Sequence, residues 1–279
     1  MAITSFIPKV WSARLQESLH KALVFGSLCN RNYEGDIAHW GDTVHINNLA
    51  DITVKAYTPH TDIDEPEQLA GADATLTINH GAYYNFYIND VDAAQANADL
   101  MDAAMRNAAY RLAEDTEDYI LSVIRAGAGA TLAAPAPTEE EGGIYALILS
   151  IKTALDDKNV PRVGRKLVVP PSVESQLLMD SRFITGTAAA DARLAEGAVA
   201  RAAGFDIYIS TSLKDELIAL TSDGVTFAQQ ITKMEAYRRE KGFDDGVKGL
   251  SLCGAKVVLP DCVYVRKLSP AQNGGGENA

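Results

Sequence analysis

An α+β fold is expected from this sequence on three observations. A helical pattern of about 34 residues runs from Val91 to Ile124, the segments on either side of it read mainly as strands, and 47% of the 279 residues are hydrophobic, enough to fill a core. The strand-rich remainder offers too few long helices to build a bundle around the rod. At ~1.5 Å per residue the rod would reach ~50 Å, about the full diameter of a compact chain of this length.

The elements follow in order. "TSFIPKVWSARLQESLHKALVFG" opens with Thr4 or Ser5 as a cap and Pro8 in the first turn, places Trp11, Leu15, Leu19, Ala22 and Leu23 on one face, and can close at Gly26. In "TVHINNL" Val44 and Ile46 alternate with polar neighbours as on a strand. "DITVKAYT" and "ATLTI" alternate likewise and are expected to pair with each other across "PHTDIDEPEQLAGAD", a connection longer than compact domains normally spend. "AYYNFYIND" adds a Tyr-rich strand ending in two good caps, Asn89 and Asp90.

The long helix then places Val91, Ala94, Ala98, Met101, Met105, Ala108, Leu112, Thr116, Tyr119 and Val123 at steps of three and four, with Gly127 as its first natural stop. "AGAGATLAAPAPTEEEGG" reads as a flexible linker. A second amphipathic helix, "IYALILSIKTALDDKNVP", stops near Asn159 and Pro161. "KLVVPP" is a short buried strand, Ser172 is the expected cap of the helix "VESQLLMD", and the helical stretch "DARLAEGAVARAAG" runs into the strand "FDIYIS". "ELIALTSDGVTFAQ" predicts a hairpin turning at Asp223-Gly224. Three strand-like runs, "ITKMEAYRRE", "GAKVVLP" and "CVYVRKL", precede a polar tail.

The chemistry-bearing motifs are missing. No G-x-S-x-G elbow, P-loop or H-E-x-x-H helix occurs, and the glycines of "GAGAT" lack the third glycine and the preceding strand of a dinucleotide site. The histidines at 20, 39, 45, 60 and 80 are scattered, and "DIDEPE" carries Glu67 where a calcium loop of the EF-hand type needs glycine. Asp244 and Asp245 are neighbours, so on a strand they point to opposite faces. Cys29, Cys253 and Cys262 read as small core hydrophobes. No catalytic, cofactor or metal residue is expected. A net charge of −12 excludes a surface that grips phosphate, and neither a membrane span nor a secretory leader is apparent, so a cytoplasmic chain is expected.

The order of arm, strand pair with outsized loop, long helix, linker and mixed region resembles the Hong Kong 97-type major capsid proteins of tailed bacteriophages. Three stretches carry the resemblance: "IPKVWSARLQESLHKALVF" with "GDTVHINNLADITVKAY", then "GAVARAAGFDIYISTSL", then "FDDGVKGLSLCGAKVVLPDCV". The resemblance implies an N-terminal arm over 1–50, an extended hairpin loop over 51–81, and a peripheral domain over 82–166 built on a spine helix at 91–124. It further implies an axial domain over 167–226, return strands of the peripheral domain over 227–268 and a disordered tail over 269–279. It also implies a shell of pentamers and hexamers around packaged DNA, with contacts between subunits at Tyr57, Pro59, His60, Asp62, Asp64, Glu65 and Glu67 on the loop and at Trp11 and Leu15 on the arm. A portal, decoration proteins and a scaffold are partners of such shells. The chain begins almost directly in the arm, so a separate scaffolding protein is expected. Encapsulin compartments share the fold and form the alternative; a hydrolase or ligand-binding enzyme has no residues to nominate.

Overall fold

The computed structural model describes residues 24–34, 40–49, 71–89, 100–134, 143–180, 201–240 and 242–268, with isolated positions at 53–54, 56–57, 65 and 137. A single helical turn, α1 (Phe25–Leu28), leads to β1 (Thr43–Leu49), β2 (Gly71–Thr77) and β3 (His80–Asn89). The long helix α2 (Leu100–Gly127) follows, then β4 (Ala130–Ala134), α3 (Gly143–Asp157), β5 (Arg165–Val169) and α4 (Pro171–Met179). The last part comprises β6 (Arg201–Ala202), β7 (Phe205–Ile209), β8 (Glu216–Thr221), β9 (Val225–Arg238), β10 (Asp244–Val257) and β11 (Val263–Leu268).

These strands form three sheets: the pair β1-β2, the antiparallel sheet β3-β10-β9, and a mixed sheet ordered β4-β11-β8-β5-β7-β6. Helix α2 joins the two larger sheets. Its first half lays Met105, Ala109, Leu112 and Ala113 on Val247, Phe86, Tyr84 and Met234 of the three-stranded sheet. Its second half puts Ile120, Leu121 and Ile124 into a core with Phe25, Leu28, Phe227, Ile218, Leu220 and Val265. On the far side of the mixed sheet Leu167, Val169, Leu217 and Ala219 pack on Leu147, Ile148 and Ile151 of α3 and Val173 and Leu177 of α4. The mixed sheet is therefore covered on both faces, which is why "ELIALT" is an unbroken buried run rather than an alternating one.

Several expectations are corrected. "ATLTI" pairs with "TVHINNL", not with "DITVKAYT": Val44 sits opposite Leu76 and Ile46 opposite Ala74. The hairpin thus takes its first strand from residues assigned to the arm, and the described positions of "DITVKAYT" are exposed coil. The Asp223-Gly224 hairpin does not form. Ser222–Gly224 is a 3-10 corner at which the chain leaves one sheet for another, since β8 pairs with β11 and β5 while β9 pairs with β10. Gly224 does not take a positive φ; it is small because a Cβ there would lie 2.9 Å from Cys262 Cβ.

The supposed linker contains β4, paired parallel to β11. The last strand therefore lies in the mixed sheet, and only β9 and β10 return to the sheet under α2's first half. The end of "DARLAEGAVARAAG" is not helical: Arg201–Ala202 turns back onto β7 through Ala203 and Gly204, both at positive φ, and the stretch up to residue 200 lies outside the described residues. Helix α4 starts with Pro171 in its first turn after Pro170, without a side-chain cap from Ser172. Residues 91–99 of the expected spine helix also lie outside the description; its described part continues three residues past Ile124.

Helix α3 does stop where the sequence indicates. Asn159 adopts a left-handed φ of 56°, and the buried Arg165 closes the turn through Pro161 O at 2.9 Å, Val160 O at 2.5 Å and the Asp156 carboxylate at 2.7 Å. That pairing holds the Asp156 carboxyl below its ordinary value.

Gly129 makes the passage from α2 to β4 possible. Its N–H donates to Pro260 O at 2.9 Å, and an added Cβ would meet that same carbonyl oxygen at 2.4 Å. Gly129→Ala is expected to lower stability by ~1–3 kcal/mol, because backbone and not a flexible side chain must yield. Urea denaturation checks it, and an unchanged midpoint contradicts the packing of this crossing.

Candidate assembly surfaces

Two surfaces stand out beyond the core clusters. The first is the face of the β3-β10-β9 sheet turned away from α2. Along β3 burial alternates: Tyr84 and Phe86 lie toward the helix, whereas Tyr83 and Tyr87 are 79% and 56% exposed. The register places Leu250 opposite Tyr83, Lys248 between Asn85 and Glu235, and Gly246 between Tyr87 and Tyr237, all on this outer face.

Polar contacts hold the outer face in shape. Tyr237 donates its hydroxyl to Asn85 Oδ1 at 2.7 Å, Lys248 Nζ lies 3.2 Å from Glu235 and 5.5 Å from the centre of the Tyr237 ring, and the Arg239 guanidinium stands 4.6 Å from the Tyr87 ring centre. The glycines are part of the design: a Cβ on Gly246 would sit 2.6 Å from the Tyr237 ring, and one on Gly249 2.5 Å from the Tyr84 ring on the other face. Both rings can therefore lie over the sheet. A depression of about 320 Å³ lined by Tyr83, Asn85, Lys233, Glu235, Lys248 and Leu250 marks this face.

The second surface is the β1-β2 hairpin. Its inner half is anchored, with Ile46, Leu76 and Ile78 buried beside Ala228 and Leu252. Its root is strapped to α2: Tyr119 donates to Asn79 Oδ1 at 2.7 Å, the His80 ring stacks on Tyr119 at 4.3 Å, and His80 Nε2 lies 2.6 Å from Asp115 Oδ2. Among the described residues β1 and β2 pair only with each other.

Of the contact residues expected from the sequence, Tyr57 is 72% exposed and Glu65 is exposed. Trp11, Leu15, Pro59, His60, Asp62, Asp64 and Glu67 lie outside the described residues. The outer sheet face was not among those expectations. Its signal was present in "HGAYYNFYIN", where aromatic residues occupy both parities of one strand, more than a single core face requires.

No three of His, Cys, Asp or Glu gather as metal ligands among the described residues. Burial pushes the Cys29 and Cys253 thiols up to about 12, which keeps them protonated and inert. Asp244 and Asp245 do diverge: Asp244 is buried, accepting from Asn89 Nδ2 at 2.7 Å, while Asp245 pairs with Arg238 at 3.1 Å. The residues that Asn89 was expected to cap, 90–99, lie outside the described residues.

A family model described as phage capsid protein matches residues 75–265, more than half of the chain. Among solved structures, that of Mycobacterium phage Che8 is similar with a TM-score of 0.75 at 28% identity, covering 88% of this chain and 90% of that one. The capsid of cyanophage P-SCSP1u is similar with a TM-score of 0.71 at 17% identity, covering 88% of each chain. A virus-like particle from Pyrococcus furiosus shares the fold, with a TM-score of 0.62 at 11% identity over 94% of this chain and 100% of that one. No curated protein sequence matches. The long helix seated across two sheets, the β1-β2 hairpin strapped to it and the family match agree, and the chain belongs to the phage capsid protein family, with the Hong Kong 97-type fold.

Proposed function

We propose that this chain is the repeating tile of an icosahedral phage head, assembling as pentamers and hexamers through its extended hairpin loop, its N-terminal arm and the domain built on the mixed sheet. The observation that carries this reading is the hairpin. Its two strands lack a third partner among the described residues, yet their register is fixed and their root is strapped to α2. A strand pair of fixed register can be completed when another copy supplies a third strand or a covering segment, and closed symmetry repeats that contact.

The role is structural and non-catalytic. A separate scaffolding protein and a portal act during assembly in the host cytoplasm, and decoration proteins are further partners. The net charge of −12 suits a wall that encloses DNA without adhering to it. The family match favours this reading over an encapsulin-type compartment.

Negative-stain imaging of the purified protein, alone and with its scaffold, is expected to show shells or capsomer-sized oligomers. Strictly monomeric protein under all assembly conditions would refute the reading. The double variant Tyr83→Asp with Tyr87→Asp tests the outer sheet face separately. The subunit should still fold, losing about 1–2 kcal/mol from two Asp residues in a strand and the Arg239 contact of Tyr87, since both side chains are largely exposed. Shell yield should fall, because charges replace aromatic contact area at the interface. Normal shells from this variant would remove the outer face from the assembly contacts.

A further inference from the structure

The N-terminal arm is rooted in the body by two unlike attachments. Downstream, the root is fixed by main chain: Asn30 N donates to Val225 O at 2.8 Å, and Phe227 N donates to Asn30 O at 2.9 Å. Lys166 Nζ adds bonds to Leu28 O at 2.9 Å and Ser222 Oγ at 2.8 Å. Upstream, the N–H groups of Val24 and Phe25 both donate to one oxygen, Oε1 of Glu117 on α2, the second bond at 2.9 Å. Glu117 is 6% exposed, and its other oxygen, Oε2, is buried with no hydrogen-bond partner. A buried carboxylate with one oxygen bound to two main-chain N–H groups and the other without a partner is an unusual use of an amphipathic helix.

We propose that Glu117 is a proton-operated latch for the N-terminal arm: as the neutral acid it keeps Val24 and Phe25 tightly seated on the spine helix, and as the carboxylate it loosens that seat while Asn30 stays fixed. The neutral acid can still accept both N–H bonds through Oε1, and it avoids leaving a charged Oε2 in an apolar wall. The carboxylate regains its water only when the arm root lifts. The charged and titratable groups around this site are Asp118 on the same helix, Cys29 and Arg31 on the arm root, and Lys166 from β5. Lys166 is engaged with Leu28 O and Ser222, and a like charge on Asp118 works in the same direction as burial.

Burial pushes the Glu117 carboxyl up to about 7 from its ordinary 4.5, against the pull of the two backbone bonds. The seated state therefore binds the proton more tightly than the open state, and seating takes one up. Seating is strongest below the ordinary carboxylate value and is lost as pH rises through about 7. Between pH 6 and pH 8.5 the seating constant should fall about tenfold.

Hydrogen exchange read by mass spectrometry on the full-length subunit tests this without relying on shell formation, so its failure is separable from failure of the shell reading. Protection of the peptide spanning Val24–Leu28, corrected for intrinsic exchange, should drop about tenfold from pH 6 to pH 8.5, while a peptide from Ile144 to Leu155 stays level. Glu117→Gln keeps the acceptor and removes the titration, so its profile should be flat. Should that variant not fold, Glu117→Met takes its place and must also be flat. A level wild-type profile, or a slope retained in the folded variant, overturns the latch.

Discussion

Leu112→Asp is expected to lower subunit stability by ~3 kcal/mol or more, seen as a fall in melting temperature of roughly 6–12 °C. Leu112 is buried at the middle of the contact between α2 and the three-stranded sheet, in a cluster with Met105, Ala109, Ala113 and Val247 and against Tyr84, Phe86 and Met234. None of these offers a cation. The new carboxylate must enter unpaired or take up a proton, and the leucine's packing is lost in either case. Tyr110, two residues earlier and 59% exposed, is the control: Tyr110→Asp should move the melt little. Equal melting of the Leu112 variant and the parent would contradict the seating of α2 on this sheet.

The first half of that stripe was legible because helix burial has a period: Met105, Leu112 and Thr116 were predicted inward and are buried, whereas Ala108, Tyr119 and Val123 are only partly buried and Ile120, Leu121 and Ile124 take the core positions in the second half. Glu117 was not legible. It lies beside the stripe and its partners, Val24 and Phe25, are main-chain groups far away in sequence that no side-chain pattern announces. Strand identity was easier to read than strand pairing. Val44, Ile46, Ala74, Leu76 and Ile78 alternate as expected, but "DITVKAYT" alternates too, and local rhythm does not say which of two candidates faces "ATLTI".

The sheet-switching corner shows the same limit. Asp223-Gly224 between two apolar runs is a hairpin signal, yet both arms found stronger partners elsewhere. Leu217, Ile218, Ala219 and Leu220 are buried on both sheet faces, which requires a central strand with neighbours on each side, β11 and β5. A hairpin with β9 would have left one of those edges without its present partner. Glycine at 224 reflects close approach to Cys262, a contact that only the fold creates. The long loop between β1 and β2 is a different case: its length and acidity were visible in the sequence, while its partner was expected on another copy.

Deletion of Pro59–Ala70 is expected to abolish shells while sparing the subunit. The ladder of the hairpin ends with Leu49 opposite Gly71, so the residues left between them can still close β1 onto β2. What anchors the hairpin lies at the other end: Ile46, Leu76 and Ile78 in their cluster with Leu252, and Asn79 and His80 bound to α2. Subunit melting should therefore change by no more than about 0.5 kcal/mol. The deletion removes Asp62, Asp64, Glu65 and Glu67 together with Pro59 and His60, the segment proposed to reach another copy. Shell yield in negative-stain images should fall to background, with soluble monomers or small oligomers in its place. Loss of soluble subunit would mean that the loop supports its own chain, and intact shells would mean that the hairpin tip is not a contact between copies.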